Sequence, residues 1–350
     1  MQTMPKPSKE VESSSLHVIA PRRSLVLAIG AAAALGACAL QSAAPPRTER
    51  LRVKVFPGAQ NLGLFVGSQQ GFFARRGVDV DLQFTQNSVE LRNGLAAGAF
   101  EVAHAAVDNA VAMRETASQD VVILTGGDNS MNELFVQPDI ASIDQLRGRT
   151  LIVDAPNTAY ALQAKKILKD RGLQAGDYTV KQVGGTFQRI EAMRADRSNS
   201  ASTLNPPYSL QAVQSGLRSL GKVRDLLGPY QASGAFAMRP WAEANGDLLE
   251  RYLAAWIEGT RWSLDPANRE PATVILMQRL ELSRPLAEGT YAALVDPRDG
   301  LARDVAFDAA GFATVLAIRA ELEGQWGGTP PTQERFVDLQ WYRRALRRLA

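Results

Sequence analysis

Few side chains in this sequence could serve as a nucleophile, a general base or a soft metal ligand. The chain has one cysteine, Cys38, and two histidines, His17 and His104. Transition-metal sites and Ser-His-Asp or Cys-His centres therefore have almost nothing to draw on. His104 lies in the apolar run 102–107, which favours a hydrogen-bonded core imidazole over a catalytic base. With no phosphate-loop or nucleophile-elbow motif either, the sequence favours a binding protein without a cofactor over an enzyme.

Amide, hydroxyl and carboxyl side chains are concentrated where predicted strands end and helices begin. Ligands of open parallel sheets gather at this edge, where helix N-termini offer free N–H groups. The same residue types also cap helices without any ligand, so capping is the alternative for each position. The candidate ligand-binding residues are Asn61, Asn87, Ser88, Asp108, Asn109, Asp128, Asn157, Thr158, Tyr160 and Tyr208.

The chemistry of these loops limits the ligand only broadly. No Arg or Lys stands at the loop tips, which disfavours a small strong anion held by a bidentate guanidinium. Asp108 and Asp128, if they face a cleft, would prefer a cationic or N–H-bearing heterocycle, because an unpaired buried carboxylate is costly. Helix N-termini alone could still hold a sulfonate or carboxylate. We therefore expect a small, uncharged or weakly basic organic ligand such as a pyrimidine.

The elements that must position these side chains alternate between strand and helix from Leu51 onward. Residues 51–56 and 78–82 show a period of two, and 62–73 and 89–97 show helical spacing. This alternation predicts an α/β fold with mainly parallel sheets flanked by helices. With 45% hydrophobic residues, the chain can bury a core of ordinary size, and we expect a monomer.

The N-terminal segment has the parts of an export signal. Arg22 and Arg23 precede an apolar stretch that is too short to span a bilayer, followed by small residues up to Cys38. Residues 35–38 resemble a bacterial lipobox, in which the cysteine accepts a diacylglycerol; a free cysteine after an ordinary signal is the alternative. The arginine pair also resembles a twin-arginine signal, with an ordinary positive n-region as the alternative. We therefore predict a signal peptide over 1–37 and a lipid-anchored linker over 38–50.

Charge gives no reason to expect a nucleic-acid partner. The full chain has a formal net charge of +3. Four basic but only two acidic residues precede Cys38, so the part that follows is close to neutral. We therefore expect no nucleic-acid binding.

Three segments in series carry a family pattern: Gly71-Phe72-Phe73 with 77–80, Leu95-Ala96-Ala97-Gly98 with 100–103, and 142–153. Together they resemble the solute-binding proteins of the nitrate, sulfonate and taurine class, a group that also includes thiamine-precursor binders. Val78 and Glu101 are mild departures from the family pattern, which has Leu and Asp at those places.

The resemblance implies a two-lobed, periplasmic-binding-protein-like fold of type II. Lobe one would comprise 51–136 plus 236–350, and lobe two 137–235, with apolar crossing strands at 133–136 and 234–238. It also implies the substrate-binding component of an ABC importer. Such a protein captures a small heterocyclic or sulfonate-like solute and delivers it to a permease from the periplasmic side of the envelope. A ligand sensor for a membrane signalling partner is one alternative. A thiamine-pyrimidine-synthase-like enzyme is another, although the cysteine-rich motif of that branch is missing here.

Overall fold

The structure is a computed structural model that describes residues 48–350. The predicted signal peptide 1–37, Cys38 and most of the predicted linker lie outside the described residues. Within 48–350, no helix combines the length and the apolar character that a membrane crossing requires.

Ten strands form two separate sheets of five strands each. The strands are β1 (Glu49–Val55), β2 (Val78–Phe84), β3 (Val102–Ala106), β4 (Val121–Gly127), β5 (Glu133–Val136), β6 (Thr150–Val153), β7 (Thr179–Gln182), β8 (Asn199–Leu204), β9 (Arg218–Lys222) and β10 (Ser233–Met238). The strand orders are β2-β1-β3-β10-β4, here called lobe one, and β7-β6-β8-β5-β9, here called lobe two. In each sheet a single strand, β10 or β5, runs antiparallel to its neighbours. The predicted class, two mainly parallel sheets in two lobes, is confirmed.

The chain passes from one sheet to the other between β4 and β5 and returns between β9 and β10. The expected division differs from the observed one by a strand of four residues at the first passage and by three residues at the second. Glu133–Val136, expected in lobe one, pairs with β8 and β9 of lobe two. Residues 233–235, expected in lobe two, belong to β10 and pair with β3. A short apolar run has the same local pattern in either sheet, so only the long-range pairing decides its membership.

Helices cover both sheets. They are α1 (Leu62–Gln69), α2 (Phe72–Arg75), α3 (Ser88–Ala96), α4 (Asp108–Ala117), α5 (Ala159–Asp170), α6 (Thr186–Ala195), α7 (Tyr208–Gln214), α8 (Val223–Leu227), α9 (Arg239–Ala244), α10 (Gly246–Leu264), α11 (Arg269–Leu280), α12 (Arg284–Leu294), α13 (Ala309–Glu323) and α14 (Gln340–Arg347). The helix predicted over 62–73 is divided in two, because Gly71 adopts a φ of 71° that ends the first segment.

The longest of these helices, α10, packs into the core of lobe one. Its buried residues Leu253 and Trp256 share one apolar core with Phe65 of α1 and Val53 of β1. The helices α1 and α10 approach so closely that a side chain on Gly259 would collide with the backbone of α1. Lobe one therefore has a rigid base from which its loops project.

His104 is part of this core. Its Nε2 lies 2.6 Å from the hydroxyl oxygen of Tyr252, and its ring meets Trp256 edge-on with the ring centroids 4.2 Å apart. Burial lowers the pKa of His104 to about 3, so the imidazole is neutral at physiological pH. The sequence prediction of a hydrogen-bonded core histidine is confirmed.

Candidate functional site

A cleft between the two lobes is lined by residues from both sheets. It encloses about 660 Å³ of space between atoms, open solvent at its mouth included. The lining residues are Phe56, Pro57, Gln60, Ser88, Ala105, Ala106, Asn109, Asp128, Met131, Asn132, Asp154, Thr158, Ala159, Tyr160, Gly185, Thr186, Arg189, Asn205, Ala232 and Ser233. Phe56, Asp128, Asp154 and Asn205 each follow directly or closely on the end of a strand. The cleft thus lies at the carboxyl ends of the strands, where the sequence analysis placed it.

Half of the predicted site residues meet in this cleft. Asn109, from the first turn of α4, and Asp128, just after β4, belong to lobe one together with Ser88 at the start of α3. Thr158 and Tyr160, at the start of α5, belong to lobe two. Residues 30 positions apart or more in the sequence therefore line one cleft, because the two sheets present their loops to the same space.

Asp128 is a buried carboxylate that has hydrogen-bond donors but no cation. Its Oδ1 accepts from the Ser130 backbone N–H at 2.9 Å, and its Oδ2 accepts from the hydroxyl of Ser233. Within residues 48–350 no Lys, Arg or His lies within ion-pair distance of it. Burial raises the pKa of Asp128, because a carboxylate away from water lacks solvation that neutral donors only partly replace.

Asn109 adds a second acceptor to the same wall. The side chain is only 2% exposed, and its Nδ2 donates to the Ala106 carbonyl at 3.2 Å. Its Oδ1 is buried and accepts no hydrogen bond from any residue of the described chain. A buried amide oxygen without a donor is unfavourable, so this atom is suited to receive a donor from a ligand.

The wall of lobe two contains a residue that the sequence analysis missed. Arg189, only 1% exposed, extends from α6 into the protein. Its guanidinium donates to Ser202 Oγ at 3.0 Å, to the Gly184 carbonyl at 2.8 Å, to Thr186 Oγ1 at 3.1 Å and to the Thr203 carbonyl at 3.0 Å. Burial lowers the pKa of Arg189. Its spacing was the available signal: Arg189 lies on the same helical face as Met193, one turn later, and next to Ile190, both of them buried.

Asp154, at the start of the loop between β6 and α5, joins the lobes across the cleft. The Ser88 backbone N–H, at the first turn of α3 in lobe one, donates to its Oδ1 at 3.2 Å and its Oδ2 at 3.1 Å. The N-terminus of a helix attracts negative charge, and here the protein supplies that charge itself.

Tyr160 lies among the charged groups of the cleft. The centre of the Arg189 guanidinium lies 5.4 Å from the centroid of its ring. Its pKa is raised by burial first, and further by the nearby carboxylate of Asp128. The phenol is therefore a neutral group that can both donate and accept.

The other predicted residues lie outside the cleft lining and make structural contacts. Asn61 Nδ2 donates to the Phe56 carbonyl at 2.7 Å and the Gly58 carbonyl at 3.1 Å, which holds the turn after β1. Asn87 caps α3, because its Oδ1 accepts from the Glu90 backbone N–H at 2.9 Å. For these two amides the structure shows the capping and turn roles that were the stated alternative.

Asp108 and Asn157 are held by a buried arginine of α13. Arg319 donates to the Asp108 carboxylate at 2.5 and 3.1 Å and to the Asn157 carbonyl at 3.0 Å. Arg92 donates to Asn157 Oδ1 at 3.4 Å. The Asp108 carboxylate therefore has the cationic partner that Asp128 lacks.

Tyr208 belongs to an apolar cluster of lobe two. Its ring packs against Phe187 at a centroid distance of 6.1 Å, and burial raises its pKa to about 12. Among the described residues there is no group of three or more His, Cys, Asp and Glu side chains that could hold a metal ion.

Two lobes of this topology, with a cleft between the carboxyl ends of their strands, are the two-lobed, periplasmic-binding-protein-like fold. The chain belongs to the NMT1/THI5-like family, whose model matches residues 59–267. No curated protein matches it.

Solved structures of the same fold are numerous and distant in sequence. A protein of Bordetella bronchiseptica has a TM-score of 0.75 at 18% identity, covering 86% of this chain and 98% of its own. The periplasmic nitrate-binding protein of Synechocystis has a TM-score of 0.72 at 14% identity, covering 87% and 90%. The periplasmic aliphatic sulphonate-binding protein of Escherichia coli has a TM-score of 0.63 at 19% identity, covering 84% and 91%. Those two named relatives are binding proteins rather than enzymes, and their likeness to this chain is one of fold.

Proposed function

We propose that this protein is the substrate-binding component of an ABC importer. The observation that carries the proposal is the cleft, whose polar lining comes from both lobes. A site divided between two lobes binds a ligand most tightly when the lobes close on it, which suits capture and release better than surface recognition. The nitrate and sulphonate binders that share the fold support the same function.

The contacts across the cleft indicate how capture would work. The Gly185 backbone N–H of lobe two donates to the Gln86 carbonyl of lobe one at 2.9 Å. Lys222, in β9 of lobe two, also donates to Asp299 at 2.8 Å. These bonds exist only when the lobes are together, and a solute that contacts both walls would shift the population toward this closed form. The closed protein would then dock on the permease, and opening would release the solute.

We further propose Ser88, Asn109, Asp128, Thr158 and Tyr160 as ligand contacts. The solute is a small organic molecule, heterocyclic or sulfonate-like in the initial expectation.

The expected location is the periplasmic side of the envelope, with Cys38 carrying the lipid that keeps the protein near its permease. The similarity to periplasmic binding proteins supports export. The prediction of a lipid anchor depends only on the sequence before residue 48.

A thermal-shift screen of the purified protein tests the function. The panel contains nitrate, bicarbonate, alkanesulfonates, taurine, aminopyrimidines and simple amines. At least one compound should raise the melting temperature in a dose-dependent way, because a ligand that binds only the folded state stabilises it. Asn109→Leu should remove that shift, since it replaces a polar group of the cleft by an apolar one of similar size. A panel without any stabilising compound would contradict the proposal.

A further inference from the structure

We infer that the solute carries an N–H donor group, such as a protonated amine or an aminoheterocycle, which binds to Asp128 and Asn109. The inference rests on the proposed function and narrows the class of ligand. It sets this cleft apart from one built for nitrate or a simple sulfonate.

The first reason is that the cationic side chain of the cleft is already used by the protein. A guanidinium has five N–H groups. The four hydrogen bonds of Arg189 to neutral acceptors of lobe two leave a single Nη1 N–H. Bidentate binding of an anion needs two parallel N–H groups. Arg189 could offer two only by giving up a bond that holds it in place.

The second reason is that Asp154 occupies the N-terminus of α3. Free N–H groups at such a position would suit a phosphate, sulfonate or nitrate. Here the carboxylate of Asp154 accepts from the Ser88 N–H with both oxygens. An anionic ligand would have to displace this carboxylate. The displacement would also break a contact that joins the two lobes.

The third reason is that one buried acceptor of the cleft has no donor and one hydrogen-bonded carboxylate has no cation among the described residues. Asp128 has no cation within ion-pair distance in the described chain, and Asn109 Oδ1 has no donor. Both belong to lobe one, and both are acceptors that line the cleft. The charged residues of the lining are Asp128, Asp154 and Arg189, so carboxylates outnumber cations. A donor group on the ligand would satisfy Asn109 and give Asp128 its missing partner.

The opposite end of the ligand has a different environment. Thr158 and Gly185 precede α5 and α6, and their own backbone N–H groups already donate to Ala155 and Gln86. The N–H groups of the first turns, from Ala159 and Thr186 onward, lack partners within their helices. This wall can accept a carbonyl, hydroxyl or acid group. The donor group is therefore the required feature, and an acid group is compatible with it.

Titration calorimetry with five probes that differ in their amino and acid groups tests the inference. The probes are propylamine, aminopropanesulfonate, propanesulfonate, aminopyrimidine and nitrate. We expect the tightest binding from a probe that has an amino group, with propanesulfonate and nitrate at least tenfold weaker. Asp128→Asn should weaken the binding of amino probes roughly tenfold or more, because a hydrogen bond to a charged group is lost.

Two further variants keep the test independent of folding defects. Asn109→Leu removes the second acceptor and should also weaken amino probes. Asp139→Asn removes an exposed carboxylate that pairs with Arg149 at 3.3 Å outside the cleft, and should leave all affinities unchanged. Circular dichroism confirms that each variant is folded.

Propanesulfonate or nitrate binding as tightly as aminopropanesulfonate, or an unchanged affinity of amino probes in Asp128→Asn, would overturn the inference. Either result would leave the proposed solute-binding function standing, because a ligand would still bind. Failure of every compound in both panels would overturn the function and the inference together.

Discussion

At the residue scale, His104 is a titratable side chain that burial keeps neutral. Its ring contacts Tyr252 and Trp256, both of α10. Its pKa of about 3 lies far below the ordinary value of 6.5, and burial is the cause. The unfolded chain therefore takes up the proton first as the pH falls.

The lowered pKa of His104 predicts that the protein loses stability as the pH falls. The contribution of His104 is complete above its ordinary pKa and is lost as the pH falls below it. Between pH 7 and pH 5 the free energy of unfolding should drop by about 2 kcal/mol from this group alone. Urea unfolding at both pH values measures the drop, and His104→Gln should reduce it by that amount. An equal drop in wild type and variant would show that other groups are responsible.

The site residues divide into those that local sequence can predict and those that it cannot. Asn87 was recognisable as a helix cap because its partner, Glu90, is three positions away. Arg189 was not recognisable as a cleft residue, because Ser202 and Thr203, which hold it, come from the neighbouring strand β8. Asp108 and Asp128 have equivalent loop positions in the sequence. Only the distant Arg319 pairs with Asp108, whereas Asp128 has no cation within ion-pair distance among residues 48–350.

At the scale of elements, the contact between α1 and α10 is made possible by glycine. A Cβ on Gly259 would fall well inside van der Waals distance of the Gly63 carbonyl oxygen, and one on Gly63 would meet Thr260. The atoms nearest to a Cβ on Gly259 all belong to the backbone of α1, so they cannot rotate away as a side chain could. The base of lobe one depends on this close approach.

Substitution of Gly259 should therefore destabilise the protein. Gly259→Ala is expected to lower the free energy of unfolding by about 1–3 kcal/mol through overpacking. Gly289→Ala in α12 is the matched control, because its nearest neighbour, Leu210 Cδ1, lies at an ordinary 3.5 Å. The control should be neutral or stabilising by up to about 1 kcal/mol, since alanine favours a helix. Equal effects in the two variants would mean that the helices can separate freely.

Individual strands and helices were easier to predict than the strands with which each strand pairs. The alternation of strand and helix was visible because each element carries its own periodicity. The membership of β5 was not, because its four residues have the same apolar character in either sheet. The division of the lobes is decided by pairing with β8 and β9, which are distant in sequence.

At the scale of the whole molecule, lipid attachment at Cys38 is a separate prediction. Cys38→Ser should move the protein from the membrane to the soluble fraction without altering its melting temperature, because the thiol lies before the described fold. Fractionation of cells that express each form measures the change. Retention of the variant in the membrane would mean that the lipobox interpretation is wrong.

The central claim is that the two lobes close around a solute. Small-angle X-ray scattering of the purified protein, with and without a compound that stabilises it, measures this most directly. The account predicts a smaller radius of gyration with the compound, close to that calculated from the closed arrangement described above. A stabilising compound that leaves the radius of gyration unchanged, with the lobes open in both samples, would contradict it.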